Sequence, residues 1–114
     1  MLSYQKLDVY QCAIQFLALA ALLISKIPRG YSFLSDELKR ASVSMPQNIA
    51  EGVGKPGVAD RSRYFGIARG SAMECGAVLD AGFVLKIFTK MDHEKGMNLL
   101  ERIVSMLTKM MQIE

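Results

Sequence analysis

The sequence is poor in the side chains that carry chemistry. It holds one histidine, His93, two cysteines, Cys12 and Cys75, and no tryptophan in 114 residues. Metal centres draw several His, Cys or carboxylate ligands at matched spacing, and a lone histidine beside Asp92 does not supply them. Cys12 and Cys75 lack CxxC spacing and sit among apolar neighbours, so they read as buried free thiols of a reducing compartment. Neither has a histidine in an arrangement that would make a nucleophile of it. Long apolar runs are missing as well. The longest, Phe16 to Ile24, has nine residues, against roughly 20 for a membrane span. The opening MLSYQKLDVYQC leads no basic stretch into an apolar one, and the reading is a cytoplasmic protein with no membrane partner.

Two further patterns fall short of an active site. Gly52-Val53-Gly54-Lys55-Pro56-Gly57 is rich in glycine, yet it lacks the GxxxxGK[ST] order and follows a helix where a phosphate loop follows a strand. Glu51, Glu74 and Asp80 lie in apolar helical segments without the repeated Glu-x-x-His of di-metal bundles. The expectation is a non-enzyme with no catalytic residue, no metal and no cofactor.

What is present is apolar periodicity. Hydrophobic residues make up 51% of the chain and charged ones 22%, a composition that excludes disorder and suits a single domain spanning residues 1–114. Four helical segments follow. The first runs from about Ser3 or Lys6 to Ser25 and carries two seams: Leu7, Tyr10, Ile14, Leu17, Ala21 and Ile24, and beside it Val9, Cys12, Phe16, Leu19 and Leu23. It stops at Pro28-Arg29-Gly30. The second starts near Ser32 or Ser35, with Ser35-Asp36-Glu37 as a capping sequence, and its apolar face is Leu34, Leu38, Ala41, Met45 and Ile49. Pro46 falls inside this face and predicts a kink near Ser42.

The glycines and proline between Gly52 and Gly57 end the second segment. The third, from about Ala59 or Asp60 to Thr89, has Phe65, Ala68, Ala72, Cys75 and Leu79 as its seam. Its glycines and alanines predict close backbone approach to a neighbour, because each interior glycine costs up to about 1 kcal/mol of helix propensity. The fourth begins at Asp92 as N-cap and again shows two seams: Met97, Leu100, Val104, Leu107 and Met111, and Leu99, Ile103, Met106 and Met110. No segment alternates with period two. The fold expected is all-α, an antiparallel up-down-up-down four-helix bundle. Double seams on the first and last helices exceed what one copy hides, so several copies are expected to associate.

Charge and polarity supply the remaining candidates. Net charge is +3, and the stretch from Lys26 to Arg69 holds eight basic residues against four acidic ones, whereas the rest of the chain is slightly acidic. Lys39, Arg40, Lys55, Arg61, Arg63 and Arg69 are assigned to the surroundings of the turn between the second and third helices, with Tyr64 and Phe65 beside them. Such a patch is either a solvated face or a surface for nucleic-acid phosphates, RNA or DNA. A second set, Arg40, Asn48, Glu51, Ser71 and Glu74, reads as an internal polar network that fixes helix register, or as a binding site for a polar ligand.

The stretch Arg40-Ala41-Ser42-Val43-Ser44-Met45-Pro46-Gln47-Asn48-Ile49-Ala50-Glu51-Gly52 resembles the family pattern RRAaxSIPxNIAEG. Downstream, Tyr64-Phe65-Gly66-Ile67-Ala68-Arg69-Gly70-Ser71-Ala72-Met73-Glu74 is similar to fLxiAxGSlxE, and Leu7-Asp8-Val9-Tyr10-Gln11-Cys12-Ala13 to LxVYQxA. The resemblance is to the bacterial four-helix-bundle proteins encoded within 23S rRNA intervening sequences. It implies a homopentamer and assigns no catalytic role to the matching Arg40, Asn48, Glu51, Ser71 and Glu74. A branch similar in fold, the accessory variability determinants of diversity-generating retroelements, binds a reverse transcriptase and nucleic acid through a basic ring. A protein scaffold for such an enzyme is therefore the alternative to direct nucleic-acid contact. Glu37-Leu38-Lys39 departs from the Gln-Leu-Arg common among relatives and lowers the local positive charge.

Overall fold

The computed structural model describes residues 1–111; the last three residues of the expected single domain lie outside it. Four helices, α1 (Asp8–Ile24), α2 (Ser32–Val53), α3 (Val58–Val84) and α4 (Lys90–Met110), pack as a four-helix bundle about 44 Å long and 22 Å across. Each helix touches its two neighbours in the cyclic order α1, α2, α3, α4, while α1 and α3 stand on one diagonal and α2 and α4 on the other. No strand occurs among the described residues, and no helix there is long and apolar enough to cross a membrane.

The apolar faces of α2 and α3 follow the sequence spacing. Leu34, Leu38, Ala41, Met45 and Ile49 are all buried, as are Phe65, Ala68, Ala72, Cys75 and Leu79. With Phe16, Ile103 and Leu107 they fill one continuous core. Pro46 is buried inside α2, and the helix continues through it from Ser32 to Val53. Where α2 gives way to α3 the helices come very close. A Cβ on Gly52 would lie 2.6 Å from the Phe65 ring, so only glycine lets that ring seat.

Boundaries differ where local turn chemistry intervenes. Instead of one continuous first helix, Ser3–Lys6 forms a short 3-10 turn and Leu7 is extended, at φ −76° and ψ 135°. Tyr4 folds back edge-on to Tyr10 at 4.8 Å, which the break at Leu7 permits. α2 starts at Ser32, directly after a 3-10 turn over Arg29–Tyr31, and has no side-chain cap, so Ser35 lies inside the helix rather than capping it.

The third helix stops five residues before Thr89. Lys86 takes a left-handed φ of 63°, and the backbone N–H groups of Ile87 and Phe88 return to the Gly82 carbonyl at 2.8 and 3.2 Å. This turn drives the Phe88 ring, 3% exposed, onto Gly82, where a Cβ would sit 2.3 Å from it. Thr89 is thereby free to be the N-cap of α4. Its Oγ1 accepts from the Asp92 N–H at 3.0 Å while its own N–H donates to Asp92 Oδ2 at 3.3 Å. Asp92 is thus the third residue of the helix, completing a capping box, and not the cap itself.

Apolar surface left uncovered also falls elsewhere than expected. Both seams of α4 are absorbed in one copy: Leu100, Ile103 and Leu107 are buried, and Met97, Leu99, Val104, Met106 and Met110 pack on the core. The two rows merge into one broad stripe that meets α1 on one side and α3 on the other, and charged residues occupy most of its solvent side. On α1 the seam from Val9 to Leu23 is the core-facing one, which leaves Ile14 40% exposed and Leu22 66% exposed. Uncovered apolar residues also lie on α3, with Ile67 and Met73 at 42% and 50%, and on α2, where Phe33 and Val43 stay exposed.

Candidate functional site

The six basic residues do not form one patch. Lys39 and Arg40 precede Gly54 by 15 and 14 positions, which at 1.5 Å per residue is about 20 Å up α2 from the turn. Arg69 lies some 16 Å along α3 by the same measure. Three of the six share the α2–α3 turn: Lys55, Arg61 and Arg63. The sequence reading gathers them around the turn, and the rise of the helix separates them.

At the turn, Tyr64 organises the cations. Arg63 Cζ is 4.5 Å and Lys55 Nζ 5.2 Å from the centre of its ring, distances at which the ring's π-face attracts positive charge. Arg61 turns inward. Its Nη1 donates to the carbonyls of Lys55 and Pro56 at 3.2 and 3.3 Å, and it is half-buried, so it holds the loop together. Lys55 lies 3.5 Å from Glu51, and Arg63 is loosely opposed by Asp60 at 3.9 Å. Gly57 caps α3 without a side-chain acceptor, leaving first-turn N–H groups for water or an anion. Next to the turn an open polar groove runs along α2, lined by Gln47, Asn48, Glu51 and Lys55. Phe65, placed by the sequence both beside Tyr64 and in the third helix's apolar seam, is core.

Arg40 belongs to a different group. Its Nη2 donates to Glu37 Oε1 at 2.8 Å and also to Glu74 Oε2 across the α2–α3 interface. Hydrogen bonding to Glu74, then to Glu37, raises the guanidinium above its ordinary value. Hydrogen bonding to Glu74 and to Arg40 holds the Glu37 carboxyl below its own. Deeper along the same interface, Ser71 Oγ donates to Ser44 Oγ at 2.9 Å, and Asn48 Nδ2 donates to the Ser44 carbonyl and hydroxyl at 2.9 and 3.0 Å. Arg40, Glu74, Ser71 and Asn48 therefore line one seam between α2 and α3. Glu51 stands outside it, half-exposed beside Lys55. Every buried side-chain nitrogen and oxygen among the described residues has a partner.

Several contacts carried no sequence signal. Arg69 Nε donates to Thr108 Oγ1 at 2.9 Å and so ties α3 to α4 rather than serving the turn. His93 Nε2 lies 2.8 Å from Asp80 Oδ1, with its ring stacked on Phe83 at 5.0 Å. Ser44 could be read as part of the polar side of the second helix from its spacing to Asn48, four residues apart. Thr108 could not, because its partner is 39 residues away.

Cys12 and Cys75 are free and buried. Burial, then the neighbouring Glu74 charge, pushes the Cys75 thiol up to about 12, far from a nucleophile's range. Among the described residues no group of three or more His, Cys, Asp or Glu side chains could hold a metal ion. The model of the 23S rRNA-intervening sequence protein family matches residues 5–109, and that description names no reaction. No curated protein matches the chain.

Proposed function

This chain belongs to the 23S rRNA-intervening sequence protein family, and from that premise we propose that it is a non-enzymatic cytoplasmic bundle, assembled from several copies, that binds nucleic-acid backbone through the α2–α3 turn. The observation that carries the reading is the pair of cations, Lys55 and Arg63, braced on Tyr64 beside the open first turn of α3. Cations held in place lose less side-chain freedom on meeting phosphate, and phosphate contacts release counterions. Lys39 adds an exposed charge on α2. Arg61 holds the turn together from within, whereas Arg40 and Arg69 are committed to partners away from it. Repetition of a modest patch in an oligomer, a pentamer by family resemblance, multiplies its affinity.

The test is retention of labelled RNA and DNA by the purified protein between 50 and 200 mM salt. Binding should be strongest at 50 mM and fall steeply with salt. Lys55→Glu with Arg63→Glu should abolish it without loss of helical signal. No retention at 50 mM overturns the reading. The uncovered apolar faces of α1 and α3 favour a second one, a scaffold for a protein partner such as a reverse transcriptase without nucleic-acid contact. A specific pull-down that persists in the charge-reversed variant would support it.

A further inference from the structure

The polar groove beside the α2–α3 turn contains groups that phosphate binding does not use. Gln47, Asn48, Glu51 and Lys55 line it, and its volume of about 560 Å³ lies within the range of ligand sites. Asn48 and Glu51 are three residues apart and Gln47 and Glu51 four, so they share one side of α2. The Asn48 amide has a single orientation. Its Nδ2 lies 2.9 Å from the Ser44 carbonyl, an oxygen that only accepts, so its nitrogen and oxygen cannot be exchanged. Oδ1 has no partner among the described residues, and since every buried side-chain oxygen there has one, Oδ1 meets solvent. Glu51 is half-exposed, and its one close cation is Lys55, 3.5 Å from Oε2. On a surface that attracts phosphate, a carboxylate repels the ligand unless it makes a contact of its own. Gly54 opens the same groove. Its φ of −76° suits any residue, and a Cβ would meet only backbone carbonyls, none nearer than 3.5 Å. Neither conformation nor packing asks for glycine there, and a side chain would narrow the space.

We propose that this groove reads the Watson–Crick edge of an unpaired guanine, in a strand whose phosphates Lys55 and Arg63 hold. The inference rests on the phosphate-binding reading above and adds a base preference to it. The groups fixed in the groove are acceptors: the carboxylate oxygens of Glu51 and Oδ1 of Asn48. Guanine alone sets two donors, N1–H and N2–H, side by side on that edge, and a carboxylate accepts from both at once. Adenine and cytosine set a ring-nitrogen acceptor beside their amino donor, and uracil flanks its one N–H with carbonyls. Each of these would press a lone pair against Glu51, which a buried contact penalises. Gln47, exposed on the same side of α2, supplies an amide N–H for the guanine O6.

The same chemistry excludes a duplex. There the major groove displays the N7 and O6 acceptors of guanine, and the minor groove a lone N2–H. Both donors are open together only where the base is unpaired, in a loop, a bulge or an end. Nor does Tyr64 act as a stacking platform that takes every base, because Arg63 and Lys55 already lie over its ring. Lys55 stands between the two sites, 3.5 Å from Glu51 and 5.2 Å from the centre of the Tyr64 ring, so a strand held at the turn passes the groove.

The experiment is fluorescence anisotropy of the full chain with labelled oligouridine RNA carrying one central guanosine, adenosine or inosine, at about 50 mM salt, where phosphate contacts are strong. The guanosine strand should bind about tenfold more tightly than the adenosine strand, as one bidentate base contact allows. Inosine keeps N1–H and lacks the N2 amino group, so its strand should fall between the two. Glu51→Gln, with its fold checked by circular dichroism, should bring guanosine down to the level of adenosine. Equal affinity for guanosine and adenosine overturns the proposal, as does inosine binding as tightly as guanosine or a preference that survives Glu51→Gln. The inosine comparison uses the unaltered protein and decides the matter even where the variant does not fold. Guanosine monophosphate that displaces the strand at equal concentration overturns the strand as source of the base and assigns a free nucleotide. Failure of every strand to bind overturns the phosphate reading as well, which separates the two failures.

Discussion

Ser71 Oγ donates to Ser44 Oγ at 2.9 Å across the α2–α3 interface, and Ser71 is 3% exposed. A hydroxyl this far from water depends on its one partner. Ser44→Ala removes that partner and should cost about 1–3 kcal/mol, the penalty for an unsatisfied buried group. Ser44→Ala with Ser71→Ala should cost less than the two single changes added together, because the double variant leaves no orphan hydroxyl. Urea unfolding of the three variants measures both quantities.

The capping box of α4 makes a second prediction. Thr89→Ala removes the acceptor for the Asp92 N–H and should destabilise the protein by about 1 kcal/mol. Thr89→Ser keeps the oxygen and should recover most of that loss in the same thermal melt.

Asp92 gives stability a pH dependence of known sign. Its hydrogen bond to Lys26 at 2.7 Å, helped by Thr89, holds the carboxyl below its ordinary value. A carboxylate depressed in the folded state stabilises fully above its unfolded value and loses that contribution as pH falls through the folded one. Stability should therefore drop below about pH 4, where the unfolded carboxyl near 3.9 begins to take up protons first. Asp92→Asn should be less stable at pH 7 and show a shallower acid limb in unfolding titrations.

Cys75 should resist thiol reagents. With its thiol pushed up to about 12 and buried, it has almost no thiolate at neutral pH. Ellman's reagent should leave both native cysteines unmodified over hours and modify both at once in denaturant. Rapid native labelling would contradict the packing described.

Gly82 tests the sharp end of α3. A methyl group there would lie 2.3 Å from the Phe88 ring, so Gly82→Ala should destabilise by about 1–3 kcal/mol despite alanine's better helix propensity. Phe88→Leu should partly relieve the variant by vacating the space. A stabilised Gly82→Ala protein in urea would show that the ring moves freely.

Much of the bundle was legible because apolar residues three and four apart must share a helix face. The seams Leu34–Ile49 and Phe65–Leu79 are buried residue for residue. The helix ends were harder to read. Thr89 and Asp92 are both good capping residues, and the choice between them rested on Phe88 closing over Gly82, a contact without local signature. The candidate site suffered most. The sequence reading gathers Arg40 and Lys55 around one turn, yet the helix carries Arg40 away to Glu74 while Lys55 stays at Tyr64.

The amino-acid order alone determined the helical class, the core faces of α2 and α3 and the middle location of the positive charge, since these depend on periodicity and composition within a single segment. Only the tertiary structure decided which arginines are spent on holding helices together, which apolar seam of α1 turns inward, and that α3 rather than α4 keeps an uncovered face. Those outcomes depend on what the other helices present at each position, and that partner chemistry lies tens of residues away along the chain.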